Sequence, residues 1–297
     1  MDKYYEFKDN GVALKIEPDF YENIQRIVPD LRKQLIENQL TSFEEWSDFF
    51  RRIPVKEKEA LKEFNRIFVQ RQFTPHSIKK AEEISAQADE NDWFSIGFGI
   101  AQTSIDLISD AKKSIGFDEE FKNVNFCVLK ELIVYLSCQI MLCNVLKRGE
   151  LILMWTALGA LVEAFLMIFL IFNKPSYQKT KQENIDKSRL KKNIKNTLPS
   201  GLSFSILEKF MGIQLSDDPS SITFLNKNGV SEKILDDVFC VDFIPKIREA
   251  RNFIHLVRNK DSSSDYSDLF DSKELKKMLL IYFWFIKDII CRKPDIP

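Results

Sequence analysis

Two histidines, nine glycines, ten prolines and five cysteines in 297 residues leave little material for several common architectures and chemistries. So few glycines and prolines disfavour turn-rich β folds and favour long helices with few connections, and an all-α chain is expected. The cysteines, Cys127, Cys138, Cys143, Cys240 and Cys291, are odd in number, form no CxxC pair and have no histidine nearby. That spacing fits neither a disulfide framework nor a zinc site, and buried free thiols are expected. A charge excess is also missing. Against 43 Lys and Arg stand 44 Asp and Glu, so no global field draws the chain onto nucleic acid, and any anion binding must come from local clusters. Met1 to Lys15 is polar rather than a basic stub with an apolar core, so no secretory signal is read there and the cytoplasm is the expected compartment.

What is present is helical punctuation. Pro18, Pro29, Thr41-Ser42, Pro54 and Thr74-Pro75 divide the first third into short amphipathic segments. Ser42 with Glu45 predicts a capping box opening the helix that carries Phe43, Trp46, Phe49 and Phe50. Ala60, Leu61, Phe64, Ile67 and Phe68 keep a helical period between Pro54 and Gln72, and Thr74-Pro75 can cap a helix from Ser77 to Ala88. From Asp92 to Ile115 the period continues through Trp93, Ile96, Ile100, Ile105 and Ile108. Gly97 and Gly99 interrupt it without a Lys-Ser or Lys-Thr closure or a preceding strand, so they read as close helix packing rather than a phosphate loop. No cofactor is implied. Gly116-Phe117-Asp118 reads as a C-cap and a new start, dividing the chain into an N-terminal helical region, 1–118, and a C-terminal helical domain, 119–297.

Two long apolar helices are expected over Phe126 to Lys147 and Glu150 to Phe172. The second is long enough to span a bilayer. Its dozen or so Leu, Ile, Val and Phe residues, at about −0.3 to −0.6 kcal/mol each, offset the central Glu163, so hydropathy alone permits insertion. The basic stretch after it argues the other way, because holding that stretch inside would require the long polar remainder to be exported without a signal. Thr156, Gly159, Ala160 and Glu163 share a face that suits a buried soluble helix, with the carboxylate paired to a cation of another helix. Lys174 to Lys195 carries eight cations, Lys187, Arg189, Lys191 and Lys192 among them, against Glu183 and Asp186. It is either a solvated connector or a basic arm that neutralises a nucleic-acid backbone. Gly201 to Phe210 and a short segment from Ser231 read as helices on either side of a polar loop, Gln214 to Asn228. The closing helix starts at Ser272, with Leu275, Leu279, Ile281, Tyr282, Phe285, Ile286 and Ile289 as its apolar stripe.

The densest chemistry lies at Ile247-Arg248-Glu249-Ala250-Arg251-Asn252-Phe253-Ile254-His255, within a helix expected from about Val241 to Asn259 with Pro245 early in it. Arg248, Arg251, Asn252, His255, Arg258 and Asn259 fall within about a third of a helical wheel, opposite Ile247, Ala250, Phe253, Ile254 and Val257. Cations around an imidazole make a candidate polyanion site. His255 could exchange a proton near neutral pH while the arginines hold phosphate and stabilise developing charge, and Asn252 could orient the ring. With RNA the 2′-hydroxyl supplies the nucleophile, so no metal and no Ser/His/Asp set is needed. His76, beside Thr74-Pro75, reads as a surface or capping residue.

The apolar helix Gly159-Ala160-Leu161-Val162-Glu163-Ala164-Phe165-Leu166, followed about 85 residues later by the Arg248–His255 stretch, resembles the HEPN superfamily of nucleotide-binding and RNA-cleaving helical domains. The similarity covers roughly residues 120 to 292. The family pattern is an arginine, often followed by a polar residue, and then a histidine separated from the arginine by four to six residues. Arg251-Asn252 matches the first part and His255 the last, with three residues between Arg251 and His255; six lie between Arg248 and His255, so the catalytic arginine is open between the two. The resemblance implies a HEPN-like bundle, a homodimer with two motifs facing one RNA cleft, and ribonuclease action in a toxin or antiviral setting. It equally covers members that only bind RNA or protein. A membrane protein anchored by 151–172 is the remaining alternative. Residues 1–118 resemble no family and could recognise a trigger, an antitoxin or an RNA.

Overall fold

The computed structural model describes residues 18–40, 42–69, 78–115, 126–143, 148–172, 239, 243–254 and 271–292, and among them every regular element is a helix. In chain order these are α1 (Pro18–Asn38), α2 (Phe43–Arg52), α3 (Val55–Val69), α4 (Ile78–Gln87), α5 (Glu90–Ile115), α6 (Phe126–Met141), α7 (Arg148–Phe172), α8 (Ile244–Ile254) and α9 (Ser272–Arg292). The all-α expectation holds.

Local chemistry sets several of the ends. Ser42 Oγ accepts from the Glu45 N–H at 3.3 Å and Glu45 Oε2 accepts from the Ser42 N–H at 3.1 Å, so the expected capping box opens α2. A second reciprocal cap, absent from the sequence reading, opens α5: Asp89 Oδ1 accepts from the Asn91 and Asp92 N–H groups, and Asp92 Oδ2 accepts from the Asp89 N–H at 2.8 Å. Asp271 caps α9 by a single bond, its carboxylate accepting from the Lys273 N–H at 3.3 Å. Pro29 departs from expectation, since α1 runs through it. The proline is exposed and its carbonyl partner four residues back can be hydrated, while Ile24, Ile27, Val28, Leu31 and Leu35 bury the opposite face and hold the helix together. α6 ends earlier than expected, at Met141, where Cys143 adopts a left-handed φ of 54°.

One apolar cluster runs from Ile24 in α1 to Ile289 in α9. It crosses the expected division near residue 118, although Gly116–Asp118 itself lies outside the described residues. Two glycines let α5 approach its neighbours closely, Gly97 against α6 and Gly99 against α9 and α3. A Cβ on Gly97 would stand 2.7 Å from Met141 Cγ and 3.0 Å from the Ser137 carbonyl; one on Gly99 would stand 2.5 Å from Phe283 Cζ of α9 and 2.7 Å from Asn65 Nδ2 of α3. Close packing is therefore the role of both. Arg32 ties three elements at one end, bonding Met141 O of α6 and both the carboxylate and the carbonyl of Glu90. Tyr135 donates to Glu150 at 3.0 Å and joins α6 to α7.

α9 is more than a helix with one apolar stripe. Every residue from Met278 to Ile286 is buried, because α3, α4, α5 and α7 all pack around it. α7 is buried by α5, α6, α8 and α9, and the face expected from its small residues is covered in part: Gly159 is buried and Ala160 half-buried. Thr156 is exposed and turns its hydroxyl back onto Ile152 O at 2.8 Å, beside exposed Ile152 and Leu153, while Glu163 is half-buried. Most of the buried surface is bulky, Met154, Trp155, Leu158, Leu161, Val162 and Phe165, since large side chains gain most from leaving water. Among the described residues no helix is long and apolar enough to cross a membrane. The thiols also differ from expectation. Cys127, on the solvent side of the first turn of α6, is exposed, and Cys138 and Cys143 are half-buried; all three are free, while the side chains of Cys240 and Cys291 lie outside the described residues.

Candidate nucleic-acid site on α8

α8 exists because its apolar positions recur at helical spacing. Ile244, Ile247 and Ala250 are fully buried, and the helix packs along α7. Pro245 occupies the first turn, where its missing N–H interrupts no intrahelical bond. An aromatic group pins the start of α8: Phe239 and Phe243 approach Phe285 of α9 at 5.7 and 5.8 Å between ring centroids, within the range of favourable edge and offset contacts.

On the other side of the helix Glu249 is exposed and Arg248 is half-buried. The backbone is helical at Arg251 and Asn252, so both stand on the same helix as Arg248 at one-turn spacing. The side chains of Arg251 and Asn252 lie outside the described residues, as do His255, Arg258, His76 and the basic stretch with Lys187, Arg189, Lys191 and Lys192. The structure thus describes Arg248 and the footing of the polar arc.

The sequence reading missed a charged cluster directly beneath this helix. Glu274 of α9 pairs with Lys246 of α8 and, at 2.6 Å, with Lys277 one turn along its own helix. Glu274 is 14% exposed, Lys277 12% and Lys246 34%, so a three-member ion network shielded from most solvent bridges α8 to α9. The i, i+3 spacing of Glu274 and Lys277 is a visible sequence signal, whereas their meeting with Lys246, 28 residues earlier, is set by tertiary packing. Two ammonium groups on one carboxylate give this network one net positive charge.

Elsewhere, the half-buried Cys138 thiol is pushed up to about 12, chiefly by desolvation, with the Trp46 side chain partly opposing the shift. Such a thiol stays protonated and un-nucleophilic near neutral pH. Burial, with the Glu150 carboxylate as a secondary cause, likewise raises Tyr135. Among the described residues no three His, Cys, Asp or Glu side chains gather as a metal-holding group. Set against known proteins, the chain matches no family model, no curated protein and no solved structure.

Proposed function

We propose that the chain is a metal-independent endoribonuclease of toxin or antiviral-defence type, with a HEPN-like C-terminal region and its site on the polar arc of α8. The supporting observation is the mounting of that helix. Ile244, Ile247 and Ala250 are wholly buried against α7 while Arg248 and Glu249 keep solvent access, so a rigid helix offers its polar side outward. In this reading His255 is the general acid and base, Arg248 and Arg251 clamp the scissile phosphate, and Asn252 orients the imidazole or the RNA. Arg258, Lys187, Arg189, Lys191 and Lys192 hold the flanking backbone. The 2′-hydroxyl attacks the adjacent phosphate, the 5′-oxygen leaves with a proton, and a 2′,3′-cyclic phosphate remains. A homodimer would set two such arcs across one cleft, and a trigger or antitoxin would act through residues 1–118. The compartment that goes with this reading is the cytoplasm.

The test is incubation of the full chain with total RNA and tRNA in EDTA, beside Arg251→Ala and His255→Ala. Cleavage by the parent with cyclic-phosphate ends, lost in both variants, is expected. A His255→Ala protein that cleaves as fast as the parent overturns the assignment, and RNA bound but left intact by the parent favours a binding module.

A further inference from the structure

We draw no further inference here: the strongest candidate, the cavity between α4 and the first turn of α9, which Glu82, Asp271 and Glu274 line together with Lys273, Lys276 and Lys277, sets as many carboxylates as ammonium groups around a helix N-terminus, and no second feature among the described residues shows what would occupy it.

Discussion

Replacing Gly97 by alanine sets two effects of known size against each other. Alanine favours the helical state by about 1 kcal/mol over glycine in a helix interior. Against this, the new methyl would stand 2.7 Å from Met141 Cγ, 3.0 Å from Ser137 O and 3.1 Å from Met141 N. The methionine side chain can turn aside, but it is fully buried, and the other two atoms are backbone of α6 and can give way only if that helix slides. Overpacking of this kind costs about 1–3 kcal/mol. The net expectation is destabilisation by about 1 kcal/mol, and by more at Gly99→Ala, where Phe283 Cζ and Asn65 Nδ2 stand at 2.5 and 2.7 Å in the middle of the core. Ser109→Ala, at an exposed position of the same helix, isolates the propensity effect and should be neutral or slightly stabilising. Urea unfolding followed by circular dichroism measures all three, with midpoint shifts at constant m-value reporting stability. A midpoint raised by Gly97→Ala would refute the close-packing explanation of the glycines.

Glu274→Gln should cost about 2–4 kcal/mol, towards the low side of the penalty for breaking a buried pair because Lys246 is a third exposed; a double-mutant cycle with Lys246→Met should show coupling of about 1 kcal/mol or more, and additivity would dismiss the network. Pro29→Ala should stabilise by about 1–2 kcal/mol in the same urea assay, since it restores one helical hydrogen bond on an exposed face at some loss of unfolded-state restraint; a lower midpoint would mean that the proline has a packing role. Because the Cys138 thiol is raised in the folded state to about 12, the unfolded chain gives up its proton first as pH rises, so stability present below about pH 8.5 falls between there and pH 12. Cys138→Ala should lose stability less steeply than the parent between pH 8 and pH 10, a difference on the order of 1 kcal/mol, and parallel profiles would contradict the shift.

The helices were legible where local chemistry decides them. Ser42 and Glu45 form a cap from four consecutive residues, and Gly97 and Gly99 announce close approach because nothing else justifies two glycines in a long helix. The Asp89–Asp92 cap escaped because aspartate replaces the usual glutamate or glutamine at its far end. Pro29 misled because a proline's cost can be offset by burial on the opposite face, and burial is a property of the assembled bundle. The same holds for α7, where Gly159 is packed as its face suggested but Thr156 on that face is exposed, and bulky residues fill most of the contact. α9 reads as a helix with a single apolar stripe, although Met278 to Ile286 contains no charged residue at all and is buried on every side. Of the candidate site, the amphipathic docking of α8 was readable from period alone, and the Lys246–Glu274–Lys277 network was not, since it joins residues whose proximity only the packing of α8 against α9 creates.

Because the chain carries a net charge of −1, RNA affinity has to be built from counted local contacts, and salt dependence counts them. On a single strand each neutralised phosphate contributes about 0.7 to the slope of log K against log salt. Arg248, Arg251 and Arg258 alone would give a slope of about −2; adding Lys187, Arg189, Lys191 and Lys192 brings it to about −5. The proposed function includes both groups, so the steeper value is expected. The measurement is fluorescence anisotropy of a labelled single-stranded RNA from 50 to 200 mM salt, made on His255→Ala so that the RNA survives. Replacing the four residues of the basic stretch by glutamine should return the slope to about −2 without touching α8, and Arg248→Ala should reduce it by about 0.7 from either starting point. A parent slope near −2 would remove the basic stretch from the interface and leave the arc of α8 to hold the RNA alone, while a slope near zero would remove RNA as the ligand.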